Sequence, residues 1–288
     1  MFSKVLIAVD GSEASLRAAR AAGALGLLDG AELHLAHAEA TKDGEEADHG
    51  ALDAAAESLT AAGLTITARR ALGDPPGPGL SRLAAEESFE LIVAGRHRQG
   101  PLKRMLYGST SDELISATRT PLFLLPETAA EPTAPGPLLV PFDFTPSSRL
   151  ALDLARKLAR RHPATLTLFH AVPLAELTPR RSVEAGATSA AIVEEAREQL
   201  ITRRRESLQE VAADMKDDPF KVDVLLDHGK VVAGIRRAAK DSKAALIVLA
   251  SHGRKGLQRF FLGSVAAELL AGTERPLLVL PADPPAED

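Results

Sequence analysis

The chain has 288 residues, 45% of them apolar and 25% charged, which suits two medium domains or one large one and supplies enough apolar material for real cores. There is no cysteine and no tryptophan, and aromatic residues make up 3%. This excludes disulfides, thiolate zinc sites and cysteine nucleophiles, and leaves aromatic platforms for nucleic acid poorly supplied. The net charge of −5 is uneven: residues 1–132 hold 12 Lys+Arg against 19 Asp+Glu, residues 133–288 hold 22 against 20, so the second part tolerates an anion better.

The opening "MFSKVLIAVDGSEAS" has too short an apolar run, and no cleavage pattern, for a secretion signal. No run approaches the roughly 18 apolar residues of a membrane span. A soluble cytoplasmic protein is expected, with neither membrane nor nucleic acid as partner. Val/Ile/Leu-rich runs predict strands near 4–9, 32–37, 64–69, 90–95 and 121–125, with helical patterns between them. "PETAAEPTAPGP", Pro126 to Pro137, lacks periodicity and reads as a linker short enough to favour packed units over freely swinging ones. Strands follow near 138–142, 165–170, 220–226, 245–250 and 276–280. Near-continuous apolar runs of this length suit strands covered on both faces, and the βαβ alternation implies parallel sheets. Helix starts are marked by Ser12, Thr145 before Pro146, and Ser264. The stretch from Arg181 to Met215 reads mostly as one long charged helix. Its Glu194–Arg197 and Arg203–Glu206 spacings suit a solvated face, and the cluster Arg203, Arg204, Arg205 reads as surface.

The chain repeats itself. "KVLIAVDGSEASLRAARAAGAL" resembles "PLLVPFDFTPSSRLALDLARKLA", each an apolar run ending in an aspartate (Asp10, Asp143). "LHLAHAEA" matches "LTLFHAVP", setting His37 on His170, 133 residues apart like the two aspartates. "GRHRQGPLKRMLYGSTSDELISATRTPLFLLP" aligns on "ASHGRKGLQRFFLGSVAAELLAGTERPLLVLP" with about a third of the positions identical, and the second copy carries roughly 22 extra residues before that point. The boundaries drawn are 1–128, a linker at 129–136, and 137–288.

In open parallel sheets, ligands sit beyond the carboxyl ends of the strands where strand order reverses. If the strands ending at Asp143 and Ala250 are neighbours, both tips border one crevice, and Gly263-Ser264 opens a helix toward it. Glycines let backbone N–H groups approach an anion, and a helix N-terminus favours one. Arg254, Lys255 and Arg259 add cations. Taken singly, Ser264 reads as a plain N-cap, Gly253 and Gly256 equally as a turn, and Asp143 as a solvated strand end. Their conjunction, repeated within one chain, points to a phosphate site.

On these residues the sequence resembles the universal stress proteins in their tandem two-domain form. Nucleotide-binding members of that family show Gly, two residues, Gly, nine residues, then Gly-Ser or Gly-Thr. The second copy reads Ala250, two residues, Gly253, nine residues, Gly263-Ser264, while the first reads Gly95, two residues, Arg98, nine residues, Gly108-Ser109. The openings "VLIAVDGSEAS" and "LLVPFDFTPSS" and the endings "TPLFLLP" and "RPLLVLP" are also similar to the family. The resemblance implies an α/β fold of two repeated open five-stranded parallel sheets, Rossmann-like, order 3-2-1-4-5, with ATP or another adenine nucleotide (ADP, AMP) at the carboxyl edge. Carried over, Asp143 and Ala171 would flank the adenine, Leu249 and Ala250 would lie along the ribose, and Pro141 and Phe142 would belong to the same cofactor site. Gly253, Arg254, Gly263, Ser264 and Val265 would meet the phosphates. The matching positions in the first copy are Asp10, Ala38, Gly95, Gly108, Ser109 and Thr110, where Arg98 either blocks or clamps a phosphate. The family's pairing through its last strand implies an internal pseudo-dimer, and a homodimer of chains is a further expectation.

No G-x-x-x-x-G-K-[ST] loop, G-x-S-x-G elbow, H-E-x-x-H or G-x-G-x-x-G stretch occurs. His252, matched by His97, reads as a residue orienting the loop, with general-base chemistry as the alternative. Asp143 could hold Mg²⁺ with phosphate help. The expectation is a nucleotide-binding stress-response protein with little or no turnover; an interaction scaffold with decayed sites and a weak ATP hydrolase are the alternatives.

Overall fold

The computed structural model describes residues 1–40, 49–96, 114, 118–173, 190–251 and 264–281. Among these residues, ten strands form one sheet: β1 (Lys4–Ala8), β2 (Glu32–Ala38), β3 (Ile66–Leu72), β4 (Leu91–Arg96), β5 (Leu122–Pro126), β6 (Leu138–Pro141), β7 (Leu166–Val172), β8 (Val222–His228), β9 (Leu246–Ala250) and β10 (Leu277–Leu280). Their order is β3-β2-β1-β4-β5-β10-β9-β6-β7-β8. Each half is parallel in the order 3-2-1-4-5, as the resemblance implied. The two expected sheets are continuous, because β5 and β10 pair antiparallel with Phe123 opposite Leu278. The carboxyl ends of the two halves therefore point to opposite edges of the sheet.

Continuous apolar runs become central strands because both faces are covered. In β1, Val5 and Ile7 join one apolar layer and Leu6 the other. Helices α1 (Glu13–Ala24), α2 (Gly50–Ala61), α4 (Pro146–Arg161) and α5 (Ala190–Ala213) contribute to the first layer; α3 (Pro76–Glu86), α6 (Val231–Asp241) and α7 (Ser264–Gly272) contribute to the second. The first layer runs unbroken from Val5 through Phe123 to Leu278. The edge strand β3 begins later than its apolar run. Gly63, at φ +88°, turns the chain after α2, and the N–H of Leu64 is taken up by the carbonyl of Leu59 as part of the helix cap. Among the described residues no helix is long and apolar enough to cross a membrane.

The stretch between the repeats is pinned rather than loose. Arg17 donates to the carbonyls of Glu127 and Ala129, and Arg20 pairs with Glu131 at 2.8 Å. Across the same seam, His162 Nε2 lies 3.1 Å from the Asp29 carboxylate. The long charged helix is realised as α5, at 24 residues twice the length of α2, and carries the Glu194–Arg197 pair at 3.5 Å.

Asp218 ties the turn before β8 to α4, accepting from Arg156 Nε at 2.5 Å and Arg160 Nε at 2.7 Å. Burial by itself would raise the carboxyl's pKa; the two guanidinium hydrogen bonds outweigh it and hold it below the usual value. A depressed folded-state pKa stabilises above the unfolded value and is lost as pH falls through the folded one. Asp218→Asn should therefore lower the melting temperature by several degrees at neutral pH. Thermal scans should show the gap closing as pH drops below the ordinary carboxylate range.

Candidate functional site

The same small device is built twice, where the first strand of each half meets its helix. In the first half, Asp10 Oδ1 accepts from the Ser12 N–H at 3.0 Å and the Ser12 hydroxyl at 2.5 Å, and Ser12 caps α1 by accepting from the Ser15 N–H at 3.4 Å. In the second, Asp143 Oδ1 accepts from the Thr145 N–H at 3.1 Å and hydroxyl at 2.6 Å, while Thr145 caps α4 through the Ser148 N–H at 3.2 Å. Both aspartates are exposed at the carboxyl edge. Partial burial would raise the pKa of Asp10, but the Ser12 hydrogen bonds prevail and lower it; the ionised carboxylate is the favoured form.

Each aspartate is followed by a residue in the left-handed region, Gly11 at φ +75° and Phe144 at φ +66°. Glycine adopts this at no steric cost; phenylalanine loses about 1–2 kcal/mol there. The Phe144 ring packs edge-on against Phe142 at 5.2 Å and His170 at 5.0 Å, and the Arg204 guanidinium lies 5.6 Å from its centroid. Arg204 is thus half-buried at this turn rather than a solvated member of its basic cluster. Sequence reasoning missed both residues. The signal was available for Phe144, which aligns on a glycine that needs positive φ.

The strands ending at Asp143 and Ala250 are neighbours: β6 pairs parallel with β9, Leu138 opposite Leu246 and Leu139 opposite Ile247, and with β7 on its other side. This is the point where strand order reverses; β1, between β2 and β4, occupies the same place in the first half. Pro141 ends β6 opposite Phe169. The ring of Phe142 is buried in the core, its N–H donates to the carbonyl of Phe169 at 2.7 Å, and its carbonyl accepts from His170 Nδ1 at 2.7 Å. Phe142 therefore shapes the tip. Ala171 and Ala250 are half-buried at the ends of β7 and β9, and Leu249 is buried. Ser264 is exposed as the first residue of α7, and Val265 packs against the second apolar layer.

In the first half, Ala38 ends β2 and is buried. Gly95 lies in β4, where an added methyl would overlap the carbonyl of Ala14 and come 2.7 Å from the Ser15 N. The close approach that requires glycine there is made by the first turn of α1. Gly253, Arg254, Gly263, His252, Lys255, Gly256 and Arg259, with His97, Arg98, Gly108, Ser109 and Thr110, lie outside the described residues. Among the described residues, no group of three or more His, Asp or Glu side chains is disposed to hold a metal ion.

The model of the Universal stress protein family matches residues 1–126 and again 136–281. A curated universal stress protein of Mycobacterium tuberculosis is 29% identical over 206 residues, 71% of this chain and 65% of the relative, so the match spans just under two thirds of that protein. One from Synechocystis is 28% identical over 149 residues, covering 50% of this chain and 97% of its own length. A solved universal stress protein from Archaeoglobus fulgidus superimposes with a TM-score of 0.61 at 16% identity, covering 96% of this chain and 98% of that one, which speaks to the fold. With the family pattern matched twice along the sequence and the ten strands falling into two equivalent halves, the chain belongs to the universal stress protein family and carries two of its repeats in tandem.

Proposed function

We propose that the chain binds an adenine nucleotide, ATP foremost, at the carboxyl edge of its second half, with little or no turnover, as a module of a stress response. The adjacency of β6 and β9 carries the reading. It brings Asp143, Ala171 and Ala250 to one edge of the sheet at a reversal of strand order, where doubly wound sheets take their ligands. Helix α7 begins at Ser264, and the spacing Ala250, Gly253, Gly263-Ser264 supplies small residues whose backbone N–H groups can receive phosphate oxygens. Asp143 would border the base, and a Mg²⁺ ion would arrive with the phosphates. The first half has the same tip, with Arg98 in place of the loop glycine.

Titration calorimetry of the full chain with MgATP is the test. Binding is expected in the wild type, and Gly263→Asp should weaken it by about a hundredfold or more, because a carboxylate would face the phosphates unpaired. No heat with the wild type at millimolar nucleotide would end the reading. Chromatography of ATP after overnight incubation should show it intact; accumulation of ADP or AMP would favour a hydrolase.

A further inference from the structure

We infer that His170 is a positioning residue for the second site, setting the spacing between the strand tip that carries Asp143 and the strand end that carries Ala171; the inference rests on the nucleotide reading above. His170 is 6% exposed, and its Nδ1 lies 2.7 Å from the carbonyl oxygen of Phe142. A carbonyl oxygen can only accept, so Nδ1 carries the proton and the tautomer is set by geometry. Phe142 immediately precedes Asp143, and Ala171 immediately follows His170. The paired register of β6 with β7 ends at Pro141 opposite Phe169. Just past that end, beside the backbone bond from the Phe142 N–H to the Phe169 carbonyl, the imidazole adds a side-chain tie between the two segments proposed to border the base.

The arrangement occurs twice. His37 is 8% exposed, and its Nδ1 lies 2.8 Å from the carbonyl of Val9, the residue before Asp10, with the same separation of 28 residues along the chain. A side chain needed only to fill the core could be any apolar residue of that volume. A buried imidazole retained at both tips with the same nitrogen on the equivalent carbonyl is a hydrogen-bonding device. In the second half Phe144 packs against its ring at 5.0 Å, which orients the imidazole. The aspartate is thus presented by a backbone held from the neighbouring strand, the support that a preorganised binding residue needs.

The experiment compares His170→Asn, His170→Gln and His170→Ala in the full chain, by MgATP calorimetry and by thermal melting. The amide nitrogen of asparagine stands the same number of bonds from Cα as Nδ1 and can donate to the Phe142 carbonyl; that of glutamine is one bond too far. His170→Asn should bind within about twofold of the wild type, and His170→Gln and His170→Ala about tenfold more weakly, although all three lose the ring and melt lower. If asparagine binds as weakly as glutamine, or all three bind like the wild type, the inference falls while the nucleotide reading stands. If the wild type binds no MgATP, the reading falls and takes the inference with it. Nitrogen-15 spectra of the imidazole give a ligand-free check: a proton on Nδ1 is expected, and one on Nε2 alone would overturn the positioning role whatever the nucleotide does.

Discussion

Phe123→Ala should destabilise the whole chain by about 3–5 kcal/mol, a large fraction of the net stability of a typical domain. Phe123 is fully buried in β5, opposite Leu278 of β10, at the centre of the antiparallel seam. Its ring belongs to the apolar layer that runs without interruption from one half into the other. A cavity there removes contacts from both halves at once and opens where neither half alone can close it. Urea unfolding should show the loss in the midpoint. A separation of one transition into two is expected as well, since the seam is what lets the halves melt together. A truncation costing less than about 1 kcal/mol would mean that the seam contributes little to stability.

Gly95→Ala should cost about 1–3 kcal/mol, more than a surface methyl ever does, and Ala250→Gly, its mirror in the second half, about 0.5–1 kcal/mol. The obstacle to the new methyl is backbone, the Ala14 carbonyl and the Ser15 N–H in the first turn of α1. That turn cannot yield freely. It is capped by Ser12, and Ser12 is held by Asp10. Pushing α1 away therefore strains the cap and displaces the aspartate, so the first tip should be disturbed along with the stability. Chemical denaturation of both variants checks the energies. Equal, small losses would show that α1 moves aside at no cost.

Much of the fold was legible because its physics is local or periodic. Strands buried on both faces need unbroken apolar runs, and "LIVAG" and "LIVLA" provide them; the repeat showed itself through aspartate and histidine at a common spacing. The partner of the last strand followed from the family resemblance. What escaped depends on contacts between residues far apart in the chain. Arg204 reads as solvated within three consecutive arginines, and only the packing of α5 brings it over Phe144. Gly95 reads as a ligand-site glycine at the end of its strand, and its steric reason lies about eighty residues earlier, in α1. The paired histidines were visible as a match, but that each donates to the carbonyl before an aspartate, from 28 residues further along, is a fact of register. The strand starts slipped where, as at Leu64, an apolar residue next to a strand served a helix cap.

The antiparallel pairing of β5 with β10 has a consequence for how the two lobes can change over time. Because one tether joins them, they meet at an effective concentration set by its reach rather than by the amount of protein present. Their union is unimolecular, does not loosen on dilution, and is always one to one. Each lobe is then free to diverge without losing its mate. The glycine kept at one tip, the phenylalanine tolerated at the other, and the helix lengthened on one side alone are the kind of specialisation that such a fixed stoichiometry permits.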